Sequence, residues 1–206
     1  MYSVALTPEI QLTSNFFFRI FDLPLNIKTI FQSLMGFFQQ AKIDYALVGA
    51  FALKAYGYLR ATEDVDFLVR GAHQSRIIAY LESLGYETIY RSAGYSNHVH
   101  PLANLGRIDF IYVEGETADI ILSEARPLLV LDGISVPVVR TEHLIALKVF
   151  AMKNDPERSF REMADLQYLL KLPGLDLEEI RGYFQTYGQM EKYNELTKKE
   201  KEKPQS

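Results

Sequence analysis

The stretch from Tyr45 to Val69, YALVGAFALKAYGYLRATEDVDFLV, constrains this chain more than any other part of it. Tyr45-Ala46-Leu47-Val48 is a short apolar run that ends at Gly49, and Ala50 to about Tyr58 suits a helix with Gly57 near its end. A buried strand that turns through a glycine into a helix leaves backbone N–H groups free at the helix start. The helix dipole favours anionic oxygen there. Gly49 has no Cβ, so a phosphate can approach the main chain. Asp64 to Val69 then alternates as a strand, which places Asp64 and Asp66 on one face and Val65 and Phe67 on the other. Two adjacent like charges are costly to bury unless a cation compensates them. Magnesium suits the pair, because it takes oxygen ligands and is often held by one or two carboxylates together with substrate phosphates.

A second alternating segment, Arg107 to Val113, carries Asp109 between Ile108 and Phe110. Asp109 can therefore project from a neighbouring strand onto the face of the first pair. Three carboxylates on two strands can hold two Mg2+ ions about 3.5–4 Å apart, with a nucleoside triphosphate (NTP) as substrate. Asp109 would be the group that helps to deprotonate an acceptor hydroxyl.

The rest of the chain supplies the frame. From Asn26, a candidate N-cap, the residues Ile27, Ile30, Phe31, Leu34, Phe37 and Phe38 recur at helical spacing. A helix is expected over His73 to Leu84, a strand over Tyr86 to Tyr90, and a loop or poorly formed hairpin over Ser92 to Gly106. Thr117 to Glu124 suits a short helix, and Asp132-Gly133 joins two strands as a hairpin. Beyond Arg140 only helices are expected, to about Lys153, over Glu157 to Lys171 and over Asp176 to Tyr187. The Lys/Glu-rich stretch from Glu191 to Ser206 reads as a fraying or disordered tail.

The expected architecture is α/β (α+β), a mixed β-sheet flanked by helices with a helical C-terminal part. The expected division is a catalytic domain over 1–140, a helical subdomain over 141–190 and a flexible tail over 191–206.

Composition narrows the partners. The formal net charge of -4 disfavours passive nucleic-acid binding, although Arg140, His143, Lys148, Lys153, Arg158 and Arg161 leave a local basic patch open. The absence of cysteine removes disulfides, thiolate zinc sites and a cysteine nucleophile. The N-terminus lacks the pattern of a signal peptide, and no window is apolar enough for a membrane span, so a cytoplasmic protein is expected. Phe16, Phe17, Phe18 and Phe21 form an aromatic cluster suited to packing on the domain or on a second subunit of a homodimer. His98 and His100 share a strand face, but no further nearby His or Cys completes a zinc set, and a surface position is the simpler expectation.

Gly49, Ala52, Gly57, Arg60, Thr62, Asp64, Val65 and Asp66, with Asp109 on a later strand, resemble the signature of the DNA-polymerase-β-type nucleotidyltransferase superfamily. The pattern is similar to the bacterial branch that includes the AbiE-type abortive-infection toxins. Leu144-Ile145-Ala146-Leu147-Lys148, followed by Arg158, Arg161 and Asp165-Leu166, resembles the helical K…R…D-L pattern of that branch. The resemblance implies transfer of a nucleoside monophosphate to a hydroxyl on an RNA end, a protein or a small molecule, and in a toxin relative an antitoxin partner. A catalytically inactive nucleotide-binding or scaffold protein of the same fold is the alternative.

Gly49-Ala50 departs from the Gly-Gly or Gly-Ser usual in the family, so at Ala50 only a backbone donor is available to a phosphate. Of the remaining candidates for nucleotide binding, Thr62 suits either that role or the turn into the strand. Arg60 could pair with Asp64 or reach a phosphate. Lys148 could contact the triphosphate or reach solvent from an apolar helix. Asp165 could orient Lys148 or Arg161.

Overall fold

The computed structural model describes residues 27–62, 64–102, 105–131 and 133–201. The N-terminal aromatic cluster, Asp132 of the hairpin and the last five residues lie outside them. In chain order the elements are α1 (Ile27–Ala41), β1 (Tyr45–Leu47), α2 (Gly49–Ala55), β2 (Asp64–Arg70), α3 (Gln74–Ser83), β3 (Glu87–Arg91), β4 (Tyr95–Val99) and β5 (Arg107–Val113). They continue with α4 (Gly115–Ser123), β6 (Arg126–Leu131), β7 (Ile134–Val138), α5 (Thr141–Asn154), α6 (Ser159–Leu169), α7 (Leu177–Thr186) and α8 (Met190–Lys201).

All seven strands join one mixed sheet in the order β3-β4-β5-β2-β1-β7-β6. β2 pairs in parallel with β5 and antiparallel with β1, while β1 pairs in parallel with β7. Pro127 sits in β6, an edge strand, where a missing N–H costs no ladder bond on the open side.

One face of the sheet carries the aromatic core. Phe67 of β2 and Phe110 of β5 stack at 5.6 Å, and Phe38 of α1 meets Phe67 edge-on at 5.6 Å. Phe37 stacks on Tyr80 of α3 at 4.0 Å, which ties the two helices together over that face. Burial of Val65, Phe67, Ile108 and Phe110 forces their neighbours Asp64, Asp66, Arg107 and Asp109 onto the opposite face.

Two expectations are corrected here, the surface position of His98 and the frayed tail, while the hairpin alternative for the run after Ser92 holds. The polar run after Ser92 contains a real strand, β4, which pairs with β3 on one side and β5 on the other. Its Ser96, Asn97 and His98 are all buried. Backbone pairing on both sides, together with internal side-chain bonds, holds it despite its polarity. His98 is accordingly no surface residue: Ser96 Oγ lies 2.8 Å from Nε2 and Thr88 Oγ1 3.1 Å from Nδ1. Burial drives its pKa down to about 4, which keeps the ring neutral.

The second correction is the tail. Met190–Lys201 form helix α8, because Tyr193 and Leu196 fall on one side and pack inward, Tyr193 against Phe184 at 5.3 Å. No helix among the described residues is long and apolar enough to cross a membrane.

Candidate active site

The acidic face forms where β2 and β5 run side by side. Asp64 is in register with Arg107, and Asp66 with Asp109. The Thr62 hydroxyl accepts from the Asp64 backbone N–H at 3.2 Å, so Thr62 fixes the entry into β2. Asp66 is partly open to water yet crowded by protein on most sides. Its burial, then the charges of Asp109 and Asp64, raise its pKa to about 7, against weaker lowering by Lys148 and Arg158.

Asp109 is held differently. Tyr95 of β4 donates to Oδ2 at 2.7 Å, and Arg107 Nε donates to Oδ1 at 3.0 Å. The Tyr95 phenol is pushed up in turn, first by burial and then by the Asp109 charge. Both Asp109 oxygens are thus engaged, whereas among the described residues no donor relieves Asp66.

Gly49 explains how Asp66 fits. A Cβ on residue 49 would stand 2.0 Å from Asp66 Oδ2, and Gly49 has φ +62, a region that L side chains rarely adopt. The close approach that needs this glycine is therefore made by the Asp66 carboxylate. Helix α2 starts at Gly49 with no side-chain cap, and the Ala50 side chain is buried in the core, so that position offers only its backbone N–H. Gly49→Ala is expected to displace the Asp66 carboxylate and to cost about 1–2 kcal/mol for the left-handed backbone. A melting curve reads the stability.

Arg60, Lys148 and Asp165 belong to an ionic cluster whose Lys148 charge is felt at Asp66. Lys148 of α5 is buried and donates to Glu162 at 2.9 Å and to Asp165 at 2.5 Å, both on α6. Arg60 Nε lies 3.4 Å from Asp165 Oδ1 without hydrogen-bond geometry. Lys148 is thus no snorkelling surface lysine but is held by two buried carboxylates, and Arg60 pairs with Asp165. Part of the basic cluster that the sequence left open is also neutralised. Arg140 sits among Glu124, Glu142 and Glu179, and Arg158 donates to Glu162.

Sequence reasoning missed Tyr95, Asn97, Arg107 and Glu162. Tyr95 and Asn97 alternate within Tyr95-Ser96-Asn97-His98-Val99, a period-two signal masked by the polarity of the run. Glu162 stands three residues before Asp165, on the same helical face.

The family profile described as "Nucleotidyl transferase of unknown function (DUF2204)" matches residues 27–200. The chain belongs to this nucleotidyltransferase family. Solved nucleotidyltransferase structures share the fold. ANT(2")-Ia in complex with adenylyl-2"-tobramycin aligns with TM-score 0.59 at 13% identity, covering 79% of this chain and 97% of that one. The solution structure of the antibiotic-resistance factor ANT(2'')-Ia gives TM-score 0.51 at 16% identity, covering 82% and 87%. An antigenic nucleotidyltransferase-like protein from Paracoccidioides brasiliensis gives TM-score 0.51 at 16% identity, covering 84% and 92%. No curated protein sequence matches the chain significantly.

The carboxylate face of this nucleotidyltransferase fits a divalent cation. Among the described residues no three acidic or histidine side chains already converge as a metal cage. Asp66, crowded by Asp109 and Asp64, is a carboxylate whose charged form burial and its neighbours disfavour. That suits magnesium, which completes its shell with substrate phosphates and water.

Proposed function

We propose that this protein transfers a nucleoside monophosphate from an NTP to a hydroxyl acceptor at the face of Asp64, Asp66 and Asp109. The observation that carries the reading is the in-register pair Asp66–Asp109, with Asp66 raised to about 7 by burial and by the Asp109 and Asp64 charges. Magnesium held by the three carboxylates supplies charge neutralisation for the triphosphate and the leaving pyrophosphate when bound. The backbone at Gly49 and Ala50 receives phosphate oxygens, Thr62 steadies the strand entry, and the Lys148 charge lies within electrostatic reach of Asp66. Arg60 and Asp165 act through Lys148 by holding it in place.

The acceptor hydroxyl attacks the α-phosphorus, its proton passes to Asp109, and the bond from the α-phosphorus to pyrophosphate breaks. Asp109 takes that proton on a carboxylate lone pair that the Tyr95 and Arg107 bonds leave free. A small-molecule or protein hydroxyl suits the site better than an RNA end, because Arg140, Lys148 and Arg158 are neutralised by carboxylates. An adenylylated compound, adenylyl-2"-tobramycin, is bound in the ANT(2")-Ia complex of the same fold.

One observation favours a second reading, a noncatalytic nucleotide-binding scaffold: both Asp109 oxygens are engaged and Lys148 is sequestered. Thermal stabilisation separates the readings. Wild type and Asp64→Ala/Asp66→Ala are melted with each ribonucleoside triphosphate, with and without magnesium. A magnesium-dependent rise for one triphosphate, absent from the variant and accompanied by pyrophosphate release, is expected. Stabilisation that needs no magnesium and survives in the variant would sink the metal-site reading.

A further inference from the structure

Asn97 on β4 is a polar side chain that the reaction above leaves unused. It lies opposite Asp109 across β4 and β5, just as Asp66 lies opposite Asp109 across β2 and β5. The three side chains form one row on one face of the sheet. Asn97 is only 5% exposed, and its Nδ2 makes no hydrogen bond of good geometry, although the Tyr95 hydroxyl stands close to it. A buried amide N–H without an acceptor is unfavourable, and where it persists it points to a missing acceptor.

The order of the strands says which part of the substrate would meet it. Gly49 follows β1, on the β1 side of Asp66, whereas β4 lies beyond Asp109 on the other side. With the triphosphate beside Gly49, Asn97 is on the side from which the acceptor approaches the α-phosphorus. Tyr95, two residues away on the same strand face, neighbours the Asn97 amide and donates to Asp109 Oδ2. Asp109 can receive the proton on a lone pair that the Tyr95 bond leaves free, so an acceptor oxygen there lies between Asp109 and the neighbouring Asn97 amide.

We propose that Asn97 forms the acceptor subsite, its side-chain Nδ2 donating to the neutral hydroxyl oxygen that attacks the α-phosphorus. The assignment rests on the transferase reading of the face. In the step, the hydroxyl O–H bond breaks toward Asp109, the new O–P bond forms, and the P–O bond to pyrophosphate breaks. The amide keeps its protons throughout and orients the oxygen lone pair.

The test uses the full chain as wild type, Asn97→Ala and Asn97→Val, with glycerol as the hydroxyl probe and pyrophosphate release as the readout. kcat/KM for glycerol is expected to fall by about tenfold or more in both variants, the value of one lost hydrogen bond. The KM for the triphosphate and the magnesium-triphosphate melting shift should stay as in wild type. Asn97→Val should melt no lower than wild type, since it removes an unsatisfied buried donor.

Unchanged glycerol kinetics overturn the proposal. A lost triphosphate shift in Asn97→Ala moves the residue to the nucleotide side, and a large fall in melting temperature in Asn97→Val makes it structural. A wild type that binds triphosphate yet releases no pyrophosphate with glycerol or water overturns the acceptor subsite and leaves the nucleotide site standing. A wild type that binds no triphosphate overturns the transferase reading itself.

Discussion

Asp66→Asn is expected to make the protein more stable at pH 8 and to abolish its chemistry. Burial and the neighbouring Asp109 and Asp64 charges raise the folded-state pKa of Asp66 from 3.8 to about 7. The folded protein therefore holds that proton more tightly than the unfolded chain does. The stabilising effect of the proton is complete below the unfolded value, and it is lost as pH rises through about 7. Each pKa unit is worth about 1.4 kcal/mol, so the cost at pH 8 is of the order of a few kcal/mol.

Asparagine keeps the shape and carries no charge. The variant should gain stability over wild type at pH 8, and the gain should shrink toward pH 4. Magnesium needs the ionised carboxylate, so its stabilisation of wild type should grow from pH 5 to pH 8 and be absent from the variant. Loss of metal-based charge stabilisation is worth several kcal/mol, or about a thousandfold or more in rate. Melting curves across pH, with and without magnesium, check the first part, and pyrophosphate release checks the second. A variant less stable than wild type at pH 8 would show that Asp66 is compensated within the protein.

Lys148→Ala is expected to be among the most destabilising single changes in the chain. Lys148 joins two buried carboxylates on α6, Glu162 and Asp165, whose side chains are 3% and 0% exposed. Breaking a buried ion pair by removing one partner costs about 3–5 kcal/mol, because a charge is left unpaired in the interior. Asp165 keeps Arg60 at 3.4 Å and Glu162 keeps Arg158 at 3.2 Å, which places the expected loss near the lower end. For a chain of this size that lowers the melting temperature by roughly 10 °C. Lys148→Met/Asp165→Asn should recover part of the loss, since it removes a charge from each side. Equal losses in the single and double variants would mean that the carboxylates are solvated and not buried.

The parts of the fold visible in the sequence are those in which local pattern and tertiary packing ask for the same thing. β2 and β5 alternate because one face meets the aromatic core, so the period-two pattern alone assigns Asp64, Asp66 and Asp109 to one face. α1 shows its buried stripe for the same reason. β4 and α8 are hidden because their local composition argues against the state that tertiary contacts impose. A strand of Tyr, Ser, Asn, His and Val forms between two partners that pair its backbone, and a Lys/Glu-rich segment is helical with Tyr193 and Leu196 packed inward.

The site divides along the same line. Sequence by itself determined which residues can share a face, since a strand has period two, and that two adjacent aspartates call for a cation, since like charges repel. It also marked Gly49 as a position without room for a side chain. Tertiary structure alone decided what stands against its Cα, namely the Asp66 carboxylate. It decided that Tyr95 and Arg107 hold Asp109, that Lys148 is buried between two acids, and that Asn97 stands unpaired beside the carboxylates. Those outcomes depend on which strands become neighbours and on charges far apart in the chain. Coulomb energy and desolvation act through space, and no spacing along the chain encodes them.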